Sequence, residues 1–273
     1  MPAIQLARLK IQISHLVERF TVPKDFVASL KEIYDFYSDR TRKTGRGRPI
    51  SSLTLSFNVP VQVTRLIERD LHPVASAQPE QALLVADALW EENWLECRLL
   101  AFSITGWIPT DPSERIVTRI QKWGREIVND RLLSASLSKA MVRLVVDTPP
   151  IILDLLGSWL KSGDPDMRKL GLQVMPSLIN DTDLRYLPQL FNLLTPFVQG
   201  VNPVPNVVLV DIIRVLAQKS PQETAYFLRR NLALTENPGI YAIIRTSLGA
   251  FPPDVKKHLM TFLHQQREEF GGH

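Results

Sequence analysis

The sequence predicts an all-α fold, a solenoid of stacked helix pairs, and three observations carry that prediction. The first is the stretch around Ala86 to Trp107. Apolar residues at Leu83, Ala86 and Trp90, then at Leu95, Leu99 and Phe102, recur at the period of one helix face. Glu92 and Asn93 fall between the two runs, so two antiparallel helices meet at a tight turn, and each keeps an apolar side that needs a further neighbour. The second is regular punctuation: Gln78-Pro79, Asp111-Pro112, Asp164-Pro165, Ser220-Pro221 and Asn237-Pro238 each set a polar residue before a proline that opens an apolar-periodic stretch. Proline in the first helical position sacrifices no hydrogen bond, and Asp, Ser and Asn before it are good N-caps. The third is a loose echo: Trp90, Trp123 and Trp159 lie 33 and 36 residues apart, near the length of a two-helix repeat. WEENWLECRLLAF and WLKSGDPDMRKLGL each give a Trp, a polar turn, an Arg (Arg98 or Arg168) and an apolar run.

The 273 residues are 45% hydrophobic, enough for a continuous core, and are read as one domain over 1–273 because no stretch has linker composition. No run approaches the roughly 18 apolar residues that span a bilayer. The N-terminal MPAIQLARLKIQISHLVERF is amphipathic rather than signal-like. A soluble, cytoplasmic chain without a membrane partner is expected, acting as a monomer. The single Cys97 excludes an internal disulfide, and His15, His72, His258, His264 and His273 form no close ligand set, so no metal is expected. The net charge of +4 is unevenly placed: residues 1–72 hold 12 Lys/Arg against 7 Asp/Glu, the remainder 20 against 21. Such asymmetry points to a polyanion.

Taken in order, residues 3–20 and 25–38 read as amphipathic helices. Pro23 opens the second, and Phe26, Tyr34 and Phe36 or Tyr37 lie on its buried side. SDRTRKTGRGRPI follows as a loop crowded with Arg40, Arg42, Lys43, Arg46 and Arg48. SFNVPVQVTRLIERDL has β-branched residues, but a helix beginning at Pro60 fits it better and puts Arg65 and Arg69 on one face. Beyond the central pair, Asp130 is placed to cap the helix RLLSASLSKAMVRLVV. Later helices are expected at 149–160, 164–179, 183–195, 205–219, 221–232, 238–251 and 253–267. The total is eleven or twelve helices and no strand, arranged as HEAT-like pairs curved into a C.

Catalytic signatures are scarce: there is no GxxxxGK[ST], no GxGxxG after a strand and no GxSxG, and the GRG at 45–47 follows no strand. The chain does resemble one family. Val59, Pro60 and Arg65, then Leu89, Trp90, Glu96, Arg98 and Ala101, then Trp159, Ser162, Arg168 and Lys169 resemble the motifs of the DNA alkylation repair family, alkylpurine DNA glycosylases built from HEAT-like repeats. The likeness covers roughly residues 40–180. It implies a concave face that cradles duplex DNA through basic side chains and excises N3- and N7-alkylated purines, whose positive charge already weakens the glycosidic bond. That chemistry asks for aromatic faces, a carboxylate to stabilise developing positive charge and place a water, and no cofactor.

On this resemblance the DNA contacts are Arg40, Arg42, Lys43, Arg46, Arg48, Arg168 and Lys169, with Trp94, Trp123 and Trp159 as aromatic contacts. Packing between repeats is the other role open to the tryptophans, and an inter-repeat polar ladder the other role for Glu96 and Arg98. The family's carboxylate lies further along the helix, where this chain offers Leu133, Ser134 or Leu137. Asp130, the only acid between Glu126 and Asp147, is the catalytic candidate. Either Asp130 has taken over the role from a shifted helix start, or the fold persists without the reaction. The competing function is a non-catalytic scaffold that binds a protein or peptide in its groove.

Overall fold

The computed structural model describes residues 5–38, 55–127, 130–181, 183–201, 206–234 and 238–270. Among them are fourteen α-helices and no strand; the only bridge-type pairing is an isolated one between Leu55 and Trp94. The count exceeds the eleven or twelve expected, although each helix falls on a stretch that the apolar period marks. The chain separates into two compact units, Met1–Thr148 and Pro149–His273. The break falls between two directly abutting helices, so no linker composition marks it in the sequence.

The first unit holds α1 (Leu6–Glu18), α2 (Pro23–Tyr37), α3 (Val61–Ala77), α4 (Pro79–Trp90), α5 (Leu95–Thr105), α6 (Glu114–Glu126) and α7 (Asp130–Asp147). It is two-layered. Helices α1, α3, α5 and α7 pack in succession, and α2 packs on α4. Helix α6 joins α4 through Arg119, whose Nε and Nη2 donate to the two oxygens of Asp87 at 2.8 and 2.6 Å. The second unit holds α8 (Pro149–Lys161), α9 (Pro165–Asp181), α10 (Leu187–Val198), α11 (Asn206–Lys219), α12 (Pro221–Leu234), α13 (Pro238–Ser247) and α14 (Pro253–Phe270). There α8, α10, α12 and α14 form one layer and α9, α11 and α13 the other. Alternate helices stacking in two layers is the arrangement that lets each amphipathic pair bury its faces on the next.

Prolines open α4, α9, α12 and α13 as expected, and Asp164 caps α9 by accepting the Asp166 N–H at 2.9 Å. Pro112 does not open a helix: α6 begins at Glu114, and Arg115 Nη2 donates to the Pro109 and Asp111 carbonyls, holding that segment as a turn. On α2 the buried ring is Tyr37, at 2% exposure, whereas Phe36 is 46% exposed with the Arg8 guanidinium over its face. Trp90, Trp123 and Phe102 meet where α4, α5 and α6 join. The indoles stack at 5.1 Å, and Phe102 meets both edge-on at 5.6 and 5.4 Å. Such pairs contribute about 0.5–1.5 kcal/mol each beyond the area they bury.

Helices α5 and α7 approach closely at Gly106, where a Cβ would lie 1.9 Å from the Lys139 carbonyl oxygen. Gly106→Ala is therefore expected to destabilise the protein by about 1–3 kcal/mol, the cost of overpacking a fitted contact. Gly249→Ala, with nothing within 4 Å of the added carbon, is the neutral control. Chemical denaturation of the two variants checks this, and equal midpoints would remove the close approach as a constraint.

Candidate nucleic-acid interface

The segment before α3 is built onto the α4–α5 turn by one carboxylate. Glu96, in the first turn of α5, accepts the Ser56 hydroxyl at 2.8 Å and the Asn58 N–H at 2.9 Å on Oε1, and the Phe57 N–H at 3.1 Å on Oε2. An anion at that position also faces the positive end of α5. Leu55 adds two backbone bonds, its N–H donating to the Asn93 carbonyl and its carbonyl accepting from Leu95 N at 2.7 Å. The result presses Phe57 flat on Trp94, with ring centroids 3.7 Å apart and planes at 19°. Asn58 takes a positive φ of 55°, tolerable for Asn because its side chain adapts to that region.

These rings form one wall of an open cleft of about 690 Å³, whose other side is α2, with Lys24, Lys31, Glu32 and Asp35. Lys31 bridges the cleft to Glu92 at 2.8 Å. Arg65 and Arg69 stand exposed on α3, just beyond the anchored segment, as the helix from Pro60 required. The basic residues Arg40, Arg42, Lys43, Arg46 and Arg48 lie outside the described residues, in the chain that runs from the end of α2 to Leu55.

The remaining sequence candidates divide clearly. Trp94 lines the cleft. Trp123 and Trp159 are corrected to core residues: they are 1% and 2% exposed, and the Trp123 faces are taken by Trp90 and Phe102, so neither indole has a face open to a nucleotide. Arg168 and Lys169 are half-buried at the start of α9, and Arg168 Nη1 donates to the Ser162 carbonyl at 2.9 Å. Glu96 holds the 56–58 segment, while Arg98 binds locally, donating to the Glu92 carbonyl at 3.2 Å and lying 4.6 Å over the Trp90 ring. Asp130 begins α7, and its side chain lies outside the described residues. Along the rest of that helix Leu133 and Leu137 are buried in the core and Ser134 is half-buried. Sequence inspection missed Phe57 and the α2 wall. Lys24, Lys31 and Asp35, seven and then four residues apart on one helix, were the available signal.

These features define an all-helical protein of two-layer units, with an aromatic cleft in the first. The sequence model of the DNA alkylation repair enzyme family matches residues 48–237, and the chain belongs to that family. No curated protein and no solved structure matches it. No helix among the described residues is long and apolar enough to cross a membrane.

Replacing Glu96 by Ala strands the Phe57 and Asn58 N–H groups and frees Ser56. The expected loss is about 2 kcal/mol of stability, the scale of hydrogen bonds to a charged group, with the Trp94 fluorescence maximum moving to longer wavelength as Phe57 leaves it. Unchanged stability and emission would show that the segment is held by other means. Cys97, behind the same turn, is fully buried. Burial, and then the nearby Glu92 and Glu96 carboxylates, push its thiol up to about 12, so it stays protonated at neutral pH. A thiol reagent at pH 8 should leave Cys97 unmodified in the folded protein and react once denaturant opens the core. Rapid labelling of the native state would contradict that burial.

Proposed function

We propose that this protein binds duplex DNA carrying alkylated purines. The basic segment Arg40–Arg48 grips the phosphate backbone and the Trp94 cleft lies beside the bound strand. The observation that carries the reading is the match to the DNA alkylation repair enzyme family, which spans the anchored segment and the helices from α3 to α12. The charge excess of residues 1–72 supports it, because phosphate contacts supply most of the affinity of such complexes. Arg168 and Lys169 add cations at the head of α9, where N–H groups also favour phosphate.

The catalytic half of the family's chemistry stands differently. Acids occur on α7 only at its two ends, Asp130 and Asp147, and Asp147 Oδ2 accepts from the Thr110 hydroxyl and pairs with Arg143 Nε, each at 3.4 Å. Base excision by this helix therefore falls to Asp130, acting without a cofactor as the carboxylate that stabilises charge on the sugar and positions the water.

A short duplex titrated across a salt series tests the binding. Gripping five or six phosphates gives roughly a thousandfold loss of affinity between about 50 and about 200 mM salt, and alanines at Arg42, Lys43, Arg46 and Arg48 should flatten that slope. Release of 7-methylguanine and 3-methyladenine from methylated DNA is followed in parallel for wild type and Asp130→Asn. Release abolished in the variant identifies Asp130 as the carboxylate. Salt-sensitive binding with no release defines a reader of damaged DNA, and absence of binding at low salt rejects the proposal in favour of a protein-binding scaffold.

A further inference from the structure

The cleft of the first unit differs from end to end. Its α2 wall is one stripe: Lys24, Ala28, Lys31 and Asp35 recur at four, three and four residues, the spacing of a single helix face. Lys24 therefore stands ~10 Å along the axis from Lys31. Phe57 packs on Tyr34 at 5.7 Å and on Trp94 at 3.7 Å, so the aromatic wall belongs to the Asp35 end. Ala28 on α2 and Ala88 on α4 line the stretch between, where small side chains leave room. One end thus offers an indole with Asp35 and Glu92 in the same stretch of wall, and the other end offers a cation.

The geometry points to a nucleotide site: the cleft takes one unstacked nucleotide, its base against Trp94 and its phosphate toward Lys24. The volume of about 690 Å³ falls within the roughly 300–1,000 Å³ of small-ligand clefts. Phe57 covers one face of the half-buried Trp94, and the Glu96 carboxylate fixes the segment that carries Phe57, so the indole is held in place before any ligand arrives. Any base can stack on such a ring. The Lys31–Glu92 pair is placed to read the base edge. Among the described residues that pair uses one ammonium donor and one carboxylate oxygen, which leaves donors and an acceptor for ring nitrogens and exocyclic groups. Three acids of the lining, Glu32, Asp35 and Glu92, outnumber its two lysines, so a base that carries positive charge is held more strongly than a neutral one. A paired base must swing out of the duplex to enter, at a cost smallest where it is mismatched, damaged or unpaired. The inference rests on the proposed DNA binding only for the source of the nucleotide, and a free nucleotide presents the same chemistry.

Two probes, each titrated against the full chain, separate the sources. The first is a duplex with a single 2-aminopurine opposite an abasic position, compared with the fully paired duplex. Wild type should bind the unpaired form roughly tenfold more tightly, the scale of one base stacked on one aromatic ring, and should quench its emission. Ala28→Leu, at an exposed position of α2, fills the cleft and should bring that ratio to one, with paired-duplex affinity read on the same variant. The second probe is 7-methylguanosine monophosphate, whose base is cationic, against guanosine monophosphate. The cationic nucleotide should bind more tightly, and both should weaken with Ala28→Leu and with Lys24→Glu. Equal affinity for the two duplexes, or a preference that survives Ala28→Leu, would overturn the inference and leave DNA binding standing. If neither duplex binds, the mononucleotides decide: saturable binding lost in Ala28→Leu keeps the cleft as a site for free nucleotide, and its absence removes the site.

Discussion

Trp90 lies at the junction of three helices, and the first unit depends on what its ring does there. A two-helix hairpin has two apolar faces and can bury only one of them internally. The other must be covered by the next pair, and Trp90 does this by stacking on Trp123 of α6 while meeting Phe102 of α5 edge-on. Its indole N–H donates to Glu126 at 3.1 Å, so the one polar atom of a 2% exposed ring is satisfied across the same joint. Arg98 covers the remaining face and ties down the turn carbonyl of Glu92. Turn, hairpin and next helix are thus fixed by one cluster, and the anchored segment 55–58 inherits its position from that turn.

Charge in this unit serves two separate purposes. Arg119 with Asp87, Arg115 with Glu80, and Lys139 with Glu68 and Ser103 join neighbouring helices. Partly exposed pairs of this kind contribute little stability each, on the order of 1 kcal/mol or less, but they fix which helix faces which. Their cations are neutralised locally, so they add little to the field a polyanion would meet. Arg65 and Arg69 stand exposed on α3, and the proposed phosphate contacts draw on the basic run Arg40–Arg48, which lies outside the described residues. Net charge understates this division, because the tying arginines and their acids cancel in the sum.

The fold was legible because its elements obey local rules. Apolar period set the helices, and proline placed the first residue of α4, α9, α12 and α13. Pro112 escaped the rule because Arg115 gathers the preceding carbonyls, a contact invisible from Asp111-Pro112 alone. On α2, adjacent aromatics at 36 and 37 fall on opposite sides of the burial boundary, where period alone cannot choose. Of the candidate cleft only Trp94 was legible, because its place in the turn between α4 and α5 is local. Trp123 carried the same signal for packing and for nucleotide contact, and only the position of Trp90 separates them. Glu96 drew notice, but its partners, Ser56, Phe57 and Asn58, lie about forty residues away in a segment whose extended form no period announces.

Helix α7 shows why belonging to a family and keeping its chemistry are different properties. The positions along this helix to which the family resemblance points for a carboxylate are Leu133 and Leu137, at 1% and 0% exposure, with half-buried Ser134 between them. An ionised acid at either leucine would be desolvated without a partner, at a cost of several kcal/mol, so these sites now belong to the packing of α7 on α5 and α6. Function in repeat folds lives in sites placed on a scaffold whose own requirements are only spacing and burial. The scaffold tolerates an apolar residue in place of an acid, and gains core from it. Excision of an already cationic purine demands less of the protein than most hydrolyses, because the leaving group is activated before it is bound. Under the proposed function that demand falls on a single carboxylate, Asp130 at the head of the helix.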